Sequence, residues 1–290
     1  NLELLAPSGN FSKLKCALYF GADAVYIGGK DFSLRSFADN FTREEMQLAI
    51  DYAHARGKKV FVTVNIFMKN ADAPMLGDYF AFLQSVGADA AIVSDSGAVY
   101  LAKKYAPKLD LHISTQANLT NKYAVKFWHE QGATRAVLAR ELSLEEIAEI
   151  HSFVPEIELE AFVHGAMCIS YSGRCLLSNY LTGRDGNRGE CVQACRWNYQ
   201  IRKQDALSDS GWLDLEEDGR GAYILNSKDL NMSAHLEKLA AAGVTSFKIE
   251  GRMKSEYYLA TVINAYRRCI DGGYSAEVER ELLTAAHRDY

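Results

Sequence analysis

Four of the six cysteines lie in one short stretch, as Cys168-x6-Cys175-x15-Cys191-x3-Cys195. Four thiolates from one loop-rich segment can close a tetrahedral zinc site or hold an iron–sulfur cluster. Structural zinc sites favour two tight Cys-x2–4-Cys knuckles, and only the last pair here is tight. Wider, uneven spacing suits a four-iron cubane, each iron taking one thiolate. Spacing alone leaves zinc and cluster about even. Ordinary buried thiols are the third reading, since free Cys is among the most buried residue types, but the crowding argues against it. Six cysteines in 290 residues is too sparse for a disulfide scaffold. Cys16 and Cys269 fall on helical patterns and read as core.

The same stretch is basic. Residues 168–203 hold Arg174, Arg184, Arg188, Arg196, Arg202 and Lys203 against Asp185 and Glu190, a local +4 in a chain of net −5. Tyr171, Tyr180, Trp197 and Tyr199 are interleaved. Cations with stacking aromatics suit a splayed single-stranded RNA loop. The plainer reading, arginines capping loops and aromatics in the core, is the one the sequence alone favours.

These residues need a scaffold. The chain has 290 residues, 48% hydrophobic and 24% charged, the profile of a soluble globular protein. Four prolines and 21 glycines argue against long disordered linkers. No apolar run approaches the roughly 18 residues of a membrane span, so no membrane partner is expected. No secretory leader pattern is present, and a cytoplasmic location is expected. The first residue is Asn1 rather than Met, and a short N-terminal piece is expected to be missing. A net charge of −5 excludes whole-surface binding of nucleic acid and leaves room for a local basic site.

Eight short apolar runs recur at 2–6, 24–28, 59–65, 90–95, 109–114, 136–140, 158–164 and 246–250. Each ends in polar or Gly residues, as parallel strands buried on both faces do. Helical patterns lie between. Residues 42–56 open with Thr42 and Glu45, and 143–153 with Ser143 and Glu146, two capping boxes. Gly21, Gly87, Gly132 and Gly243 each precede a strand run, the helix–glycine–strand turn of a βα repeat. Eight such units predict an α/β fold, a (β/α)8 TIM-type barrel, with an open doubly wound sheet as the alternative. The barrel is favoured because no Gly-rich dinucleotide fingerprint follows the first strand. The barrel is expected over residues 1–275. One unit is long: after strand seven an insertion, residues 165–225, carries all four clustered cysteines and an expected hairpin pairing 198–203 with 222–225. It leaves the C-terminal face, where barrel enzymes keep their chemistry.

Glu160-Ala-Phe-Val-His-Gly-Ala-Met-Cys168-Ile-Ser-Tyr-Ser-Gly-Arg-Cys175-Leu-Leu-Ser178 resembles the signature of the collagenase-like peptidase family of unassigned catalytic type. Residues 187–197, 226–230 and 248–255 are similar to further blocks of it, as are 3–9 and 114–118. The match runs through nearly the whole chain and is nearest to a branch of prephenate-dependent, oxygen-independent tRNA hydroxylases that form 5-hydroxyuridine at the wobble position. The resemblance implies a 4Fe–4S cluster on Cys168, Cys175, Cys191 and Cys195, with zinc as the alternative metal. Some relatives draw a ligand from just after the 226–230 block, but this chain has Asn231 there, which leaves Cys195. It also implies the tRNA anticodon region and prephenate or a similar dicarboxylate as partners. A further C-terminal domain is implied too, with residues 276–290 its expected start and the remainder absent. A homodimer or a pairing with a related subunit is the expected assembly.

A dicarboxylate calls for arginine clamps. Arg140 ends the sixth strand and Arg252 follows the eighth; Arg35 and Lys254 are further candidates. Gln116 and Asn118 leave the fifth strand, placed to read a uracil edge, and Asn226 joins the binding set. Lys228 and Glu250 are candidates for proton transfer, and His164 for acid, base or support of the cluster. The structural alternatives are ion pairs Arg140–Glu141 and Glu250–Arg252, and helix caps for Asn226 and Asp229. His112, inside the fifth strand, reads as a satisfied core or bottom-face histidine. A peptidase would need a nucleophile with a base. No Gly-x-Ser-x-Gly or His-Glu-x-x-His occurs, but His164 and Cys168 could pair. That pair and a cluster on Cys168 exclude each other. A non-catalytic, metal-stabilised RNA-binding module is the third reading.

Overall fold

The computed structural model describes residues 2–34, 38–197, 217–218, 221–222 and 228–288. Seven parallel strands follow in order: β1 Glu3–Pro7, β2 Ala24–Gly28, β3 Lys59–Val64, β4 Ala90–Val93, β5 Asp110–Ile113, β6 Arg135–Val137 and β7 Glu158–Ala166. The eighth barrel strand is β11 Val244–Ile249, which pairs with both β7 and β1, while β6 pairs with β7. The sheet therefore closes, and the open doubly wound alternative is excluded. All eight apolar runs are barrel strands.

Helices α1 Phe11–Tyr19, α2 Arg43–His54, α3 Ala73–Ser85, α4 Ser96–Tyr105, α5 Lys122–Glu130 and α6 Leu144–Phe153 each follow one of the first six strands. Both capping boxes form. The Thr42 backbone N–H donates to Glu45 Oε2 (2.8 Å) and the Glu45 N–H to Thr42 Oγ1 (3.2 Å). Ser143 and Glu146 repeat the arrangement at the same distances. The four turn glycines take φ between +75° and +104°, a region that costs any side-chain-bearing residue strain.

Strand alternation divides the core. Leu159, Ala161 and Val163 of β7, with Phe247 and Ile249 of β11, face the helices and join the main apolar cluster. Leu159, Val163, Phe247 and Ile249 each contribute roughly 1.5–3 kcal/mol by this burial. Leu5, Tyr26, Phe61 and Ile92 fill part of the barrel interior. β6, β7 and β11 also turn charged side chains inward: Arg135, Glu160 and Lys248.

After β7 the chain forms the cysteine insertion, with α7 Leu177–Thr182 and a short hairpin, β8 Glu217–Asp218 and β9 Gly221–Ala222. The hairpin expected from 198–203 and 222–225 lies outside the described residues except at Ala222, which pairs with Glu217. The chain returns as β10 Asp229–Asn231, antiparallel to the tip of β7, with Asp229 opposite Ala166. Helices α8 Leu236–Ala241, α9 Glu256–Gly272 and α10 Ala276–Leu282 complete the described fold. Ion pairs from Arg268 to Glu277 and Glu281 hold α10 against α9. Among the described residues no helix is long and apolar enough to cross a membrane.

Candidate functional site

At the C-terminal ends of the strands a cavity of about 90 Å3 opens. Its lining includes Tyr26, Asn65, Ser114, Gln116, Arg140, Phe162, Lys248, Glu250 and Arg252. Lys248 comes from β11, where alternation turns it inward. Its Nζ donates to Glu160 Oε1 at 2.7 Å and lies 4.6 Å from the Tyr26 ring centre. Glu160, with no exposed surface, also accepts from Arg135 Nη1 at 2.9 Å. Arg135 in turn reaches Glu3 Oε1 (2.6 Å) and Glu158 Oε2 (2.7 Å). A column of alternating charge thus runs through the barrel from its floor to its mouth.

Buried charges survive only when paired and hydrogen-bonded. Burial would raise the Glu160 pKa, but Lys248 and then Arg135 outweigh it and bring the carboxyl down to about 2. Burial pushes Lys248 down against the pull of Glu160. The mouth is therefore floored by an ammonium with a weakened hold on its proton. Below it, His112 packs edge-on against Phe61, 4.6 Å between ring centres. Burial, then Arg135, holds its pKa well below the usual range, so the ring is neutral. Its bottom-face placement matches expectation, though Nδ1 has no hydrogen-bond partner among the described residues.

Arg252 is buried on the opposite wall. Nη1 donates to Ser33 Oγ (2.9 Å) and Thr63 Oγ1 (3.2 Å), and Nη2 to the Leu34 carbonyl. It ties the loop after β2 to β3 while presenting charge to the cavity. Arg140 lies three residues beyond the end of β6, with Nη2 on Ser172 Oγ at 2.8 Å.

A second cavity, about 110 Å3, adjoins the mouth, and Cys168, Cys175, Cys191 and Cys195 all line it. Gln116 and Arg140 line both cavities and form the wall between them. All four cysteines are free thiols. Burial raises the Cys195 pKa; Arg196 opposes this, and the other three cysteines add to it. A cation among them would relieve that repulsion. Among the described residues no three His, Cys, Asp or Glu side chains converge as the ligands of a single metal ion do. The insertion is pinned to the barrel. Arg188 forms a two-pronged pair with Asp72 (2.8 and 3.1 Å) and lowers that carboxyl's pKa. Asn187 Nδ2 donates to the Cys175 carbonyl at 3.0 Å. Gly173, at φ +74°, lets the loop sit directly on Gln116; a Cβ there would meet the Gln116 carbonyl oxygen at 2.7 Å.

The structure thus brings together Gln116, Arg140, Glu250, Arg252 and the four cysteines. It takes His164 elsewhere. A register shift between Lys248↔Phe162 and Ile249↔His164 breaks the alternation of β7. The ring therefore points out of the barrel, onto Tyr266 Oη at 3.3 Å, and lines neither cavity. Burial depresses its pKa to about 3. Asn118 ends the turn after β5 at φ +59° and lines neither cavity. Lys254 donates to the Ala286 carbonyl at 3.0 Å, and Lys228 is exposed; neither lines the mouth. Asp229 caps no helix but sits in β10 and binds Arg288 Nε at 2.7 Å. Arg35 and Asn226 lie outside the described residues. Lys248, Glu160 and Arg135 were not singled out as site residues by sequence reasoning. Their signal was a charge at an inward position of an otherwise apolar strand.

Fold and site together define a (β/α)8-barrel protein with a four-cysteine cavity walled against a cation-lined mouth. The model of peptidase family U32 matches residues 9–290, and the chain belongs to that family. It is 47% identical over 281 residues to tRNA hydroxylation protein P1 of Bacillus subtilis, covering 97% of this chain and 65% of that one. It is 40% identical to tRNA hydroxylation protein P of Escherichia coli (99% and 73% covered) and 31% identical to a collagenase of Porphyromonas gingivalis (100% and 72%). The chain therefore spans about two thirds of the length of these relatives. Among solved structures, the U32 peptidase Mk0906 superposes with a TM-score of 0.56 at 13% identity, covering 88% of this chain and 95% of that one, a likeness of fold.

Proposed function

We propose that the chain is the catalytic barrel of a tRNA hydroxylase that forms 5-hydroxyuridine, with a 4Fe–4S cluster held by Cys168, Cys175, Cys191 and Cys195. One observation carries the reading: the four-thiol cavity and the cationic mouth share the Gln116–Arg140 wall. Four thiols lining one cavity supply one ligand for each iron of a four-iron cluster. A zinc ion, with Zn–S bonds of about 2.3 Å, would draw the sulfurs within about 4 Å of one another. Bound there, the cluster supplies one-electron redox chemistry beside the mouth. Arg140, Lys248 and Arg252 bind an anionic donor, prephenate or a similar dicarboxylate, and Arg252 holds the mouth's rim in place. Gln116 faces the uracil edge, and Lys248 and Glu250 are the groups placed to move protons. The names of the Bacillus subtilis and Escherichia coli relatives support tRNA as the substrate.

A cysteine peptidase built on His164 and Cys168 has less support. His164 is engaged by Tyr266 behind the barrel wall, while Cys168 lines the cavity in front of it. The test is twofold. Anaerobically reconstituted protein is expected to hold about four irons per chain and lose them in Cys175→Ser. Nucleoside mass spectrometry of tRNA from a deletion strain complemented with this chain is expected to recover 5-hydroxyuridine-derived nucleosides. A colourless protein with one zinc, or unchanged nucleosides on deletion, would overturn the proposal.

A further inference from the structure

We infer that the outer face of the cysteine insertion is a docking surface for single-stranded RNA, on which unstacked bases lie against Tyr171, Tyr180 and Trp197 while Arg174 and Arg184 meet the phosphates. The inference rests on the tRNA reading above and names the surface it uses. The sequence favoured packing for these aromatics, yet Tyr171 is 51% exposed, Tyr180 86% and Trp197 43%. Arg174 and Arg184, three and four residues from Tyr171 and Tyr180 in sequence, are exposed as well. Large rings left in water within one short segment mark a binding surface.

Three observations select RNA. The chain carries a net charge of −5, so a polyanion settles only where basic groups gather locally, and the first part of the insertion, residues 168–203 at +4, is such a place. Arginine beside aromatic rings is the pairing that stacks bases and neutralises phosphates together. Each ring also lies within two residues of a side chain that lines the cavity. Tyr171 precedes Ser172 and Gly173, Tyr180 lies two residues beyond Ser178, and Trp197 follows Arg196, all cavity-lining residues. A base stacked on these rings would lie on the segment whose other side chains line the cysteine cavity. A duplex keeps its base faces covered, so the occupant is a loop with splayed bases.

The surface is held before anything binds. Ser178 Oγ donates to the Arg184 carbonyl at 2.8 Å and accepts from the Val192 N–H at 3.2 Å, which fixes the turn after α7. The Arg188–Asp72 pair anchors the next turn to the barrel. Preorganisation of this kind reduces the ordering cost of binding.

The experiment measures binding of a fluorescent tRNA and of its isolated uridine-containing anticodon stem–loop to the reconstituted protein. Tyr171→Ala and Tyr180→Ala are each expected to weaken binding about tenfold, and Tyr180→Phe, which keeps a ring, to restore it. Arg174→Glu with Arg184→Glu is expected to flatten the salt dependence, by about 0.7 in log–log slope for each phosphate no longer neutralised. Circular dichroism and iron content are expected to stay at wild-type values. Wild-type RNA affinity in both tyrosine-to-alanine variants would overturn the inference while leaving the hydroxylase reading intact. So would an oligomer that dissociates in Leu176→Asp together with unchanged RNA affinity in the tyrosine variants, which would mark a protein interface. A wild-type protein that binds no RNA, with 5-hydroxyuridine retained in the deletion strain, would remove both.

Discussion

The charge column inside the barrel makes a sharp prediction about Glu160. Glu160→Gln leaves Lys248 and Arg135 facing a neutral amide at a buried position. The drop in the Glu160 pKa from 4.5 to about 2 corresponds to about 3 kcal/mol, at roughly 1.4 kcal/mol per pH unit. That agrees with the roughly 3–5 kcal/mol lost when one partner of a buried pair is removed. Lys248→Met is expected to cost less, because Glu160 keeps Arg135 and Ser246 as donors. The double variant is expected to be more stable than Glu160→Gln alone, since no stranded ammonium remains. Urea unfolding reads all three as shifts in midpoint at unchanged slope. The sign with pH follows. A carboxyl whose folded pKa is depressed stabilises above its unfolded value near 4.5, and that contribution is lost as pH falls toward 2. Equal losses in Glu160→Gln and Lys248→Met, or a Glu160→Gln loss under about 1 kcal/mol, would refute the coupling.

Two further outcomes follow. His164, with a folded pKa of about 3 against 6.5 unfolded, is expected to cost stability as pH falls from about 6.5 toward 3, and His164→Gln to flatten that slope in thermal melts. An activity profile whose limb near pH 6.5 moves in His164→Gln would contradict its placement behind the wall. Gly173→Ala is expected to lift the insertion off Gln116, at a strain of about 1–3 kcal/mol, and to lower iron retention under dialysis; wild-type retention would refute the close approach.

The barrel was legible because its signals are local. Buried parallel strands write themselves as apolar bursts, and Thr42–Glu45, Ser143–Glu146 and the turn glycines mark where helices start and stop. The cysteines were legible because four of them crowd one loop. What escaped depended on closure. Arg135, Glu160 and Lys248 stand on three separate strands, and each alone reads as a charge at a strand position; only when β7 meets both β6 and β11 do they become one column. His164 escaped for a different reason. Simple alternation puts it beside Phe162 at the mouth, and the shift that turns it away involves Val163, a residue with no breaking tendency of its own. The tyrosines of the insertion read as core because aromatics usually are, and composition cannot tell a ring that covers apolar surface from one held out for a partner.

Ala166 and Asp229 sit opposite each other at the tip of β7, so the insertion departs and comes home through a single doorway. A cartridge mounted this way is exchangeable. Replacing residues 167–228 with a tight reverse turn would leave the closed ring of strands and its helical jacket untouched. Grafting the loop of another family member between the same two residues would exchange the four-cysteine cavity together with the outer face, so the two travel as one part.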